Sequence, residues 1–285
     1  MKPDAIGTHI FCNGKLHPAE GTDVFKQIDG AVIYEVIKLI GGIPLFFEDH
    51  MERMSRSAEL IGKQIAKSIP QVRREILQLV EKNRLPDVNV KLVWAEDDAR
   101  TVFLTYLIRR DLPPPDSYRV GVHTILYSGE RENPQVKSIK TSYRERARQA
   151  RETADAYEAL LVDENGHISE GTRSNIFFIK DGRLCTPPPE AVLLGVTRHH
   201  VMGRCRVLGI PIREEKLHRD ALSRLEGAFI TGTSIDVLPV GSIDSTRLAS
   251  ASHPLIQKIA RAFQERVQDY LARTSHAPSA GNEHR

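Results

Sequence analysis

Three consecutive prolines in the run "RRDLPPPDSY" constrain the fold more than any other stretch of this chain. Proline has no amide proton, so three in succession cannot continue a strand ladder, and the residues around them are polar. A sheet begun before this point therefore ends here, and a second unit begins after it. The chain's 285 residues suffice for one large or two medium domains, each with a substantial core. The expected organisation is an N-terminal α/β domain over 1–112, a linker over 113–118 and a C-terminal α/β domain over 119–273. The closing stretch "TSHAPSAGNEHR", 274–285, is expected to be a disordered tail.

Both halves mix strand and helix patterns. "AVIYEVIKLI", a Gly-Gly turn and "IPLFFEDH" read as two strands. "EDHMERMSRSAELIG" has helical periodicity, with Met51, Met54, Ala58 and Ile61 on one face. "PQVRREILQLVEKN" reads as a second helix, with Pro70 at its opening and Val72, Ile76, Leu79 and Val80 inward. "VNVKLVWAEDDARTVFLTYLI" reads as a hairpin turning at Glu96, Asp97 and Asp98. Beyond the prolines, strands such as "VGVHTIL", "SNIFFIKDGRLCT", "GAFITGT" and "DVLPVGSI" are interleaved with helices after Lys140 and over Thr197–Leu208. A last helix places Leu255, Ile259, Phe263, Val267 and Leu271 along one side, an ordinary core stripe.

Composition removes several function classes. A net charge of +3, with signs alternating along most segments, makes no basic patch that calls for nucleic acid. Cys12, Cys185 and Cys205 are far apart and form no C-x-x-C pair, which argues against a structural zinc or a disulfide framework. They fit a reducing compartment. The opening "MKPDAIGTHIFCNG" has no apolar secretory core, and no apolar run approaches bilayer-spanning length. A cytoplasmic protein with no membrane association is expected.

The common nucleotide, zinc-protease and serine-hydrolase motifs are absent. His199 and His200 are neighbours on a predicted helix, so their side chains diverge, and surface or helix-stabilising roles are expected for them. Three stretches remain. "GHISEGTRSNIFFI" sets the carboxylate of Glu170 at a strand end. "LLGVTRHHV" brings Gly195, Val196 and Thr197 to a helix start, where backbone N–H groups and a hydroxyl make an anion seat. "FITGTSIDVLPV" adds a turn of small residues from Thr231 to Ser234 whose donors could close on the same anion. Upstream, "SIKTSY" holds Lys140 at a predicted helix entrance, where a cation is disfavoured by the helix dipole.

The order of SIK, SEG-x-x-SN, LxGVTR, TGTS and DVLPV resembles the class IV aminotransferases, the fold-type IV pyridoxal-phosphate enzymes. These include branched-chain aminotransferases, D-amino acid aminotransferases and aminodeoxychorismate lyases. The similarity runs from "FCNGKL" and "YEVIKL" through "HMERM" to the final helix. It implies a two-domain α/β (α+β) fold, pyridoxal 5′-phosphate in the interdomain cleft, and a homodimer whose loops complete each other's sites. By the same resemblance, Lys140 matches the lysine that carries the cofactor covalently and shuttles the proton. Glu170 matches the carboxylate on the pyridine nitrogen. Val196, Thr197, Gly232 and Thr233 match the phosphate cup, and Arg53 matches the arginine that neutralises the phosphate. Tyr34 matches an aromatic substrate-facing position, Ser234 sits in the turn that contacts the substrate carboxylate in relatives, and Lys38 is a candidate for the same cavity. Lys137 matches no family position and reads as solvated.

The subtype pattern is mixed. "YEVIKL" resembles the D-amino acid enzymes, whereas "GAVIY" resembles the branched-chain ones. "VNVKLVWAEDDARTV" carries neither the R-x-H carboxylate trap of the former nor the Y-x-R-P of the latter. Arg144, four residues after Lys140, resembles an arginine of the lyases and is a further candidate for substrate binding. Tyr143 is the nearest tyrosine for the cofactor's phenolate oxygen, at a different offset from the family's. The expected activity is transamination between an amino acid, of branched-chain or D-amino acid type, and a 2-oxo acid. The alternative is 4-amino-4-deoxychorismate lyase.

Overall fold

A computed structural model describes residues 4–20, 23–28, 30–96, 100–131, 133–138 and 144–275, with Gln27 and Arg144 described by their backbone only. Lys140, Tyr143 and Asp97–Asp98 lie outside the described residues. In the first half, β1 (Ala5–Cys12), β2 (Lys15–Pro18), β3 (Ala31–Ile40) and β4 (Ile43–Pro44) precede α1 (Phe47–Glu59) and α2 (Ile69–Asn83). Next come β5 (Asn89–Glu96) and β6 (Thr101–Ile108), and together these strands make one sheet in the order β2-β1-β6-β5-β3-β4. Glu96 pairs with Thr101, as the expected hairpin requires.

The second half starts with α3 (Ser117–Val120), β7 (Val122–Ser128) and α4 (Arg144–Thr153), followed by β8 (Glu158–Val162), β9 (His167–Gly171), β10 (Asn175–Lys180) and β11 (Arg183–Thr186). Then come α5 (Val196–Val207), β12 (Ile212–Glu214), β13 (Leu217–His218), β14 (Leu225–Gly232), β15 (Asp236–Ile243), β16 (Thr246–Arg247) and α6 (Pro254–Ser275). Their strands build a mixed sheet in the order β12-β11-β10-β14-β15-β7-β8-β9-β13, with β16 on β15. The polyproline run lies between the last strand of one sheet and the first of the other, as a residue run without ladder donors must. No helix among the described residues is long and apolar enough to cross a bilayer.

Local chemistry explains the helices. Ser68 and Gln71 form a reciprocal capping box at the start of α2, and Pro70 sits in its first turn, where its missing amide costs nothing. Val72, Ile76 and Leu79 are fully buried against the first sheet, together with Met51, Met54 and Ala58 of α1. On α6, Ile259, Phe263 and Val267 are buried as the stripe requires.

Several expectations need correction. The second strand read in "IPLFFEDH" is only Ile43–Pro44, because Phe46 adopts a left-handed φ of 51° and α1 begins at Phe47. The apolar run instead feeds two cores: Leu45 and Phe46 plug into the cluster of Phe177, Phe229 and Phe263 in the second half. Ile61 falls beyond the end of α1 and is exposed, so it does not share that helix's buried face. His200 is buried, stacked on Phe46 at 3.6 Å with its Nε2 3.2 Å from Asp49, and so fastens α5 to α1. The tail expected from 274 is still helix through Ser275, and 276–285 lie outside the described residues.

Candidate active site

Strand alternation sends Ile33, Glu35 and Ile37 of β3 toward α1 and leaves Tyr34 and Val36 on the other face. That second face walls a cavity of about 230 Å³ that is also lined from the second sheet, from the start of α5, from Arg53 of α1 and from Arg131 and Lys137 of the segment after β7. Larger concavities exist, one of about 490 Å³ between α2 and β6 among them. There the ionisable groups Lys67 and Glu75 are spent on each other. The smaller cavity is where unspent polar groups converge, which is the better mark of a ligand site.

Glu170 stands at the end of β9, only 2% exposed. Its Oε1 accepts from Arg131 Nε at 2.8 Å, and its Oε2 accepts from the Leu193 amide at 3.1 Å and from Asn175 Nδ2 at 3.3 Å. Burial raises its carboxyl above the ordinary range, opposed by the Arg131 charge, the Leu193 N–H and the more distant Lys137. Asn175 also donates to the Leu193 carbonyl at 2.8 Å, so one amide side chain ties the acid to the segment leading into α5. Gly195 is required where that segment passes Asn175, since a Cβ there would collide with the Asn175 oxygen.

The anion seat is built as helix physics requires. Gly195 precedes α5 and no side chain caps the helix, so the first-turn N–H groups of Val196 and Thr197 have no side-chain acceptor. Both residues line the cavity, as do Gly232, Thr233 and Ser234 from the β14–β15 turn. Thr231, beside them and 1% exposed, has a buried hydroxyl with no hydrogen-bond partner among the described residues. An unpaired hydroxyl next to an uncapped helix start fits a phosphate, which would satisfy both. The donor set thus fits the cofactor that the sequence resemblance implies.

Arg53 reaches the cavity from α1. Its Nε and Nη2 bind Glu35 at 2.7 and 2.6 Å, and its Nη1 donates to the Leu194 carbonyl at 3.4 Å, near the anion seat. His50 Nδ1 lies 2.9 Å from the same carboxylate. Burial by itself would raise the Glu35 carboxyl, but the Arg53 charge and the His50 and Arg53 hydrogen bonds overcome it and hold it at about 2.

Of the residues singled out in the sequence, Tyr34, Arg53, Glu170, Val196, Thr197, Gly232, Thr233 and Ser234 line this one cavity. Lys38 does not: its Nζ is held by both oxygens of Asp236 at 2.9 and 2.8 Å, below the turn rather than in the cavity. Lys140 and the Arg144 side chain lie outside the described residues. Lys137, expected to be solvated, lines the cavity with its ammonium 4.9 Å from the centre of the Tyr34 ring. Sequence reasoning also passed over Arg131 and Asn175, whereas Thr231 was read as part of the anion-closing turn. Asn175 stood inside the SEG-x-x-SN motif, whereas nothing local marks Arg131, whose partner is 39 residues away.

A family model described as Amino-transferase class IV matches residues 32–243. A probable branched-chain-amino-acid aminotransferase of Rickettsia felis is 26% identical, over 94% of this chain and 99% of its own length. The D-alanine aminotransferase of Bacillus licheniformis is 28% identical, over 86% of this chain and 90% of its own. Among solved structures, the branched-chain amino acid aminotransferase from Escherichia coli superposes with a TM-score of 0.80 at 22% identity. It covers 92% of this chain and 95% of its own.

Proposed function

The chain belongs to the class IV aminotransferases, enzymes that use pyridoxal phosphate, and from that premise we propose that it moves an amino group between a branched-chain or D-amino acid and a 2-oxo acid, with pyridoxal 5′-phosphate held in the cavity described above. One observation carries this reading: the buried carboxylate of Glu170 and the unsatisfied donors around Thr231 and the start of α5 face one cavity. When bound, the cofactor supplies an electron-poor ring that stabilises the charge left at the substrate α-carbon.

The chain's own residues divide the remaining work. Glu170, oriented by Arg131, Asn175 and the Leu193 amide, holds the proton on the ring nitrogen. The amides of Val196 and Thr197 bind the phosphate together with the Gly232–Thr233 turn and the Thr231 hydroxyl, and Arg53 supplies the compensating charge. Lys140 carries the cofactor and moves the proton at the substrate α-carbon. Its approach is supported by the neighbouring main chain, where Ser138 pairs with Ile33 of β3 at the cavity wall. Tyr34 bounds the substrate side chain. The Ser234 hydroxyl, accepting from Asn89 at 2.8 Å, sits in the turn nearest the substrate. The reading extends to a cytoplasmic homodimer, supported by family membership and by three unpaired, buried cysteines.

The protein is expected to purify yellow, and borohydride is expected to fix the cofactor on Lys140, read by mass mapping. A panel of both enantiomers of Ala, Glu, Leu and Val then assigns the donor by bleaching of the cofactor absorbance. An adduct mapped to another lysine would overturn the assignment of Lys140. Pyruvate release from aminodeoxychorismate without transfer to 2-oxoglutarate would replace transamination by the lyase activity.

A further inference from the structure

Among the described residues, four cationic side chains line the cavity: Arg53, Arg131, Lys137 and Arg173. Three of them are committed to acids, Arg53 to Glu35, Arg131 to Glu170 and Arg173 to Asp111. Among the described residues, no carboxylate stands within ion-pair distance of Lys137. Its main chain is nonetheless firmly placed. The Lys137 amide donates to Ser57 Oγ of α1 at 3.3 Å, and its carbonyl accepts from the Tyr34 amide of β3 at 3.1 Å. The side chain lies against the Tyr34 ring, the wall on which the substrate side chain was placed above. A cation held by backbone at a cavity wall, with no acid among the described residues to pair it, is a seat for an anion brought by the ligand.

We propose that Lys137 receives the α-carboxylate of the amino-acid and 2-oxo-acid substrates, in a chain whose β5–β6 segment lacks both carboxylate-binding patterns of its relatives. This rests on the transamination reading of the cavity. The phosphate is already provided for at α5 and the β14–β15 turn, so the substrate carboxylate is the second anion the cavity must hold. Burial, aided by the charges of Arg53 and Arg131, depresses the Lys137 amine, while Tyr34 and Glu35 pull the other way. An arriving carboxylate restores the charged form and gains a hydrogen bond out of water.

The test separates this assignment from the reading beneath it. Calorimetric titration of cofactor-loaded protein with 4-methylpentanoate, a carboxylate that cannot react, needs no turnover. In the Lys137→Met variant its Kd is expected to rise about tenfold or more, the worth of one charged hydrogen bond. Lys137→Arg is expected to recover much of the loss. With substrates, Lys137→Met is expected to raise KM far more than it lowers kcat, while the borohydride adduct stays on Lys140. Unchanged 4-methylpentanoate affinity in a folded, yellow Lys137→Met protein would sink the proposal and leave the transaminase reading standing. Loss of the cofactor absorbance in that variant, with the wild-type adduct mapping to Lys137, would show this amine to be the cofactor's own and would overturn both this proposal and the assignment of Lys140.

Discussion

Glu170 illustrates how one side chain's setting outweighs its identity. A carboxylate before a glycine is ordinarily a turn residue; here it is buried at a strand end with three donors on its two oxygens. Those donors oppose the rise that burial imposes on its carboxyl, and leave it beside a cavity rather than beside water. Glu170→Gln preserves shape and removes the charge. Turnover is expected to fall roughly 10²-fold or more, the usual scale for losing one preorganised electrostatic partner. Cofactor content, read from absorbance after desalting, is expected to change much less. Equal single-turnover rates in both proteins would remove Glu170 from the chemistry.

Strand β3 and helix α1 show the same logic between two packed segments. Glu35 projects from the strand into the apolar contact with the helix, where Arg53 and His50 compensate its charge. Arg53 thereby owes its direction to an acid behind it while its face serves the cavity. Replacing Glu35 with Gln strands a buried guanidinium and is expected to cost about 3–5 kcal/mol in denaturant unfolding. The pH dependence has a definite sign. The folded-state value near 2 lies below the ordinary 4.5, so this stabilisation is fully present above about 4.5 and drains away as pH falls toward 2. Acid melts of the wild type are therefore expected to lose stability through that window, and the Glu35→Gln protein is expected to lack this component. The left-handed Phe46 at the head of α1 belongs to the same arrangement, because it turns an apolar run away from the strand and into the neighbouring core.

Across the molecule, the two sheets are joined by contacts that no local pattern announces. Lys38 of β3 and Asp236 of β15, 198 residues apart, form a largely buried ion pair just past the Thr231–Ser234 turn. Asn89 of β5 donates to Ser234 in that turn at 2.8 Å. The first sheet thus props part of the anion seat. Lys38→Met is expected to destabilise the protein by about 3 kcal/mol or more and to speed cofactor loss on dilution. Combining it with Asp236→Asn is expected to recover part of the stability, since an uncompensated buried charge costs more than an absent pair. If the double variant were no more stable than Lys38→Met alone, Asp236 would not be the charge left exposed to the interior.

What could be read directly from the residues is whatever depends on near neighbours. The 3.6-residue spacing of Met51, Met54 and Ala58, the Ser68–Gln71 box, the β5–β6 hairpin and the stripe on α6 are all written within a few turns of chain. So is the chemical order of acid, helix start and small-residue turn, because each piece is a short backbone device with its own side-chain requirements. Folding alone settled which surfaces meet. It brought Lys137 to the cavity wall, spent Lys38 on Asp236, set Arg131 on Glu170 and sent Phe46 across to the second core. These outcomes turn on desolvation and on partners tens to hundreds of residues away, and a charge's role is set by the acid or the empty space it meets once water has been removed.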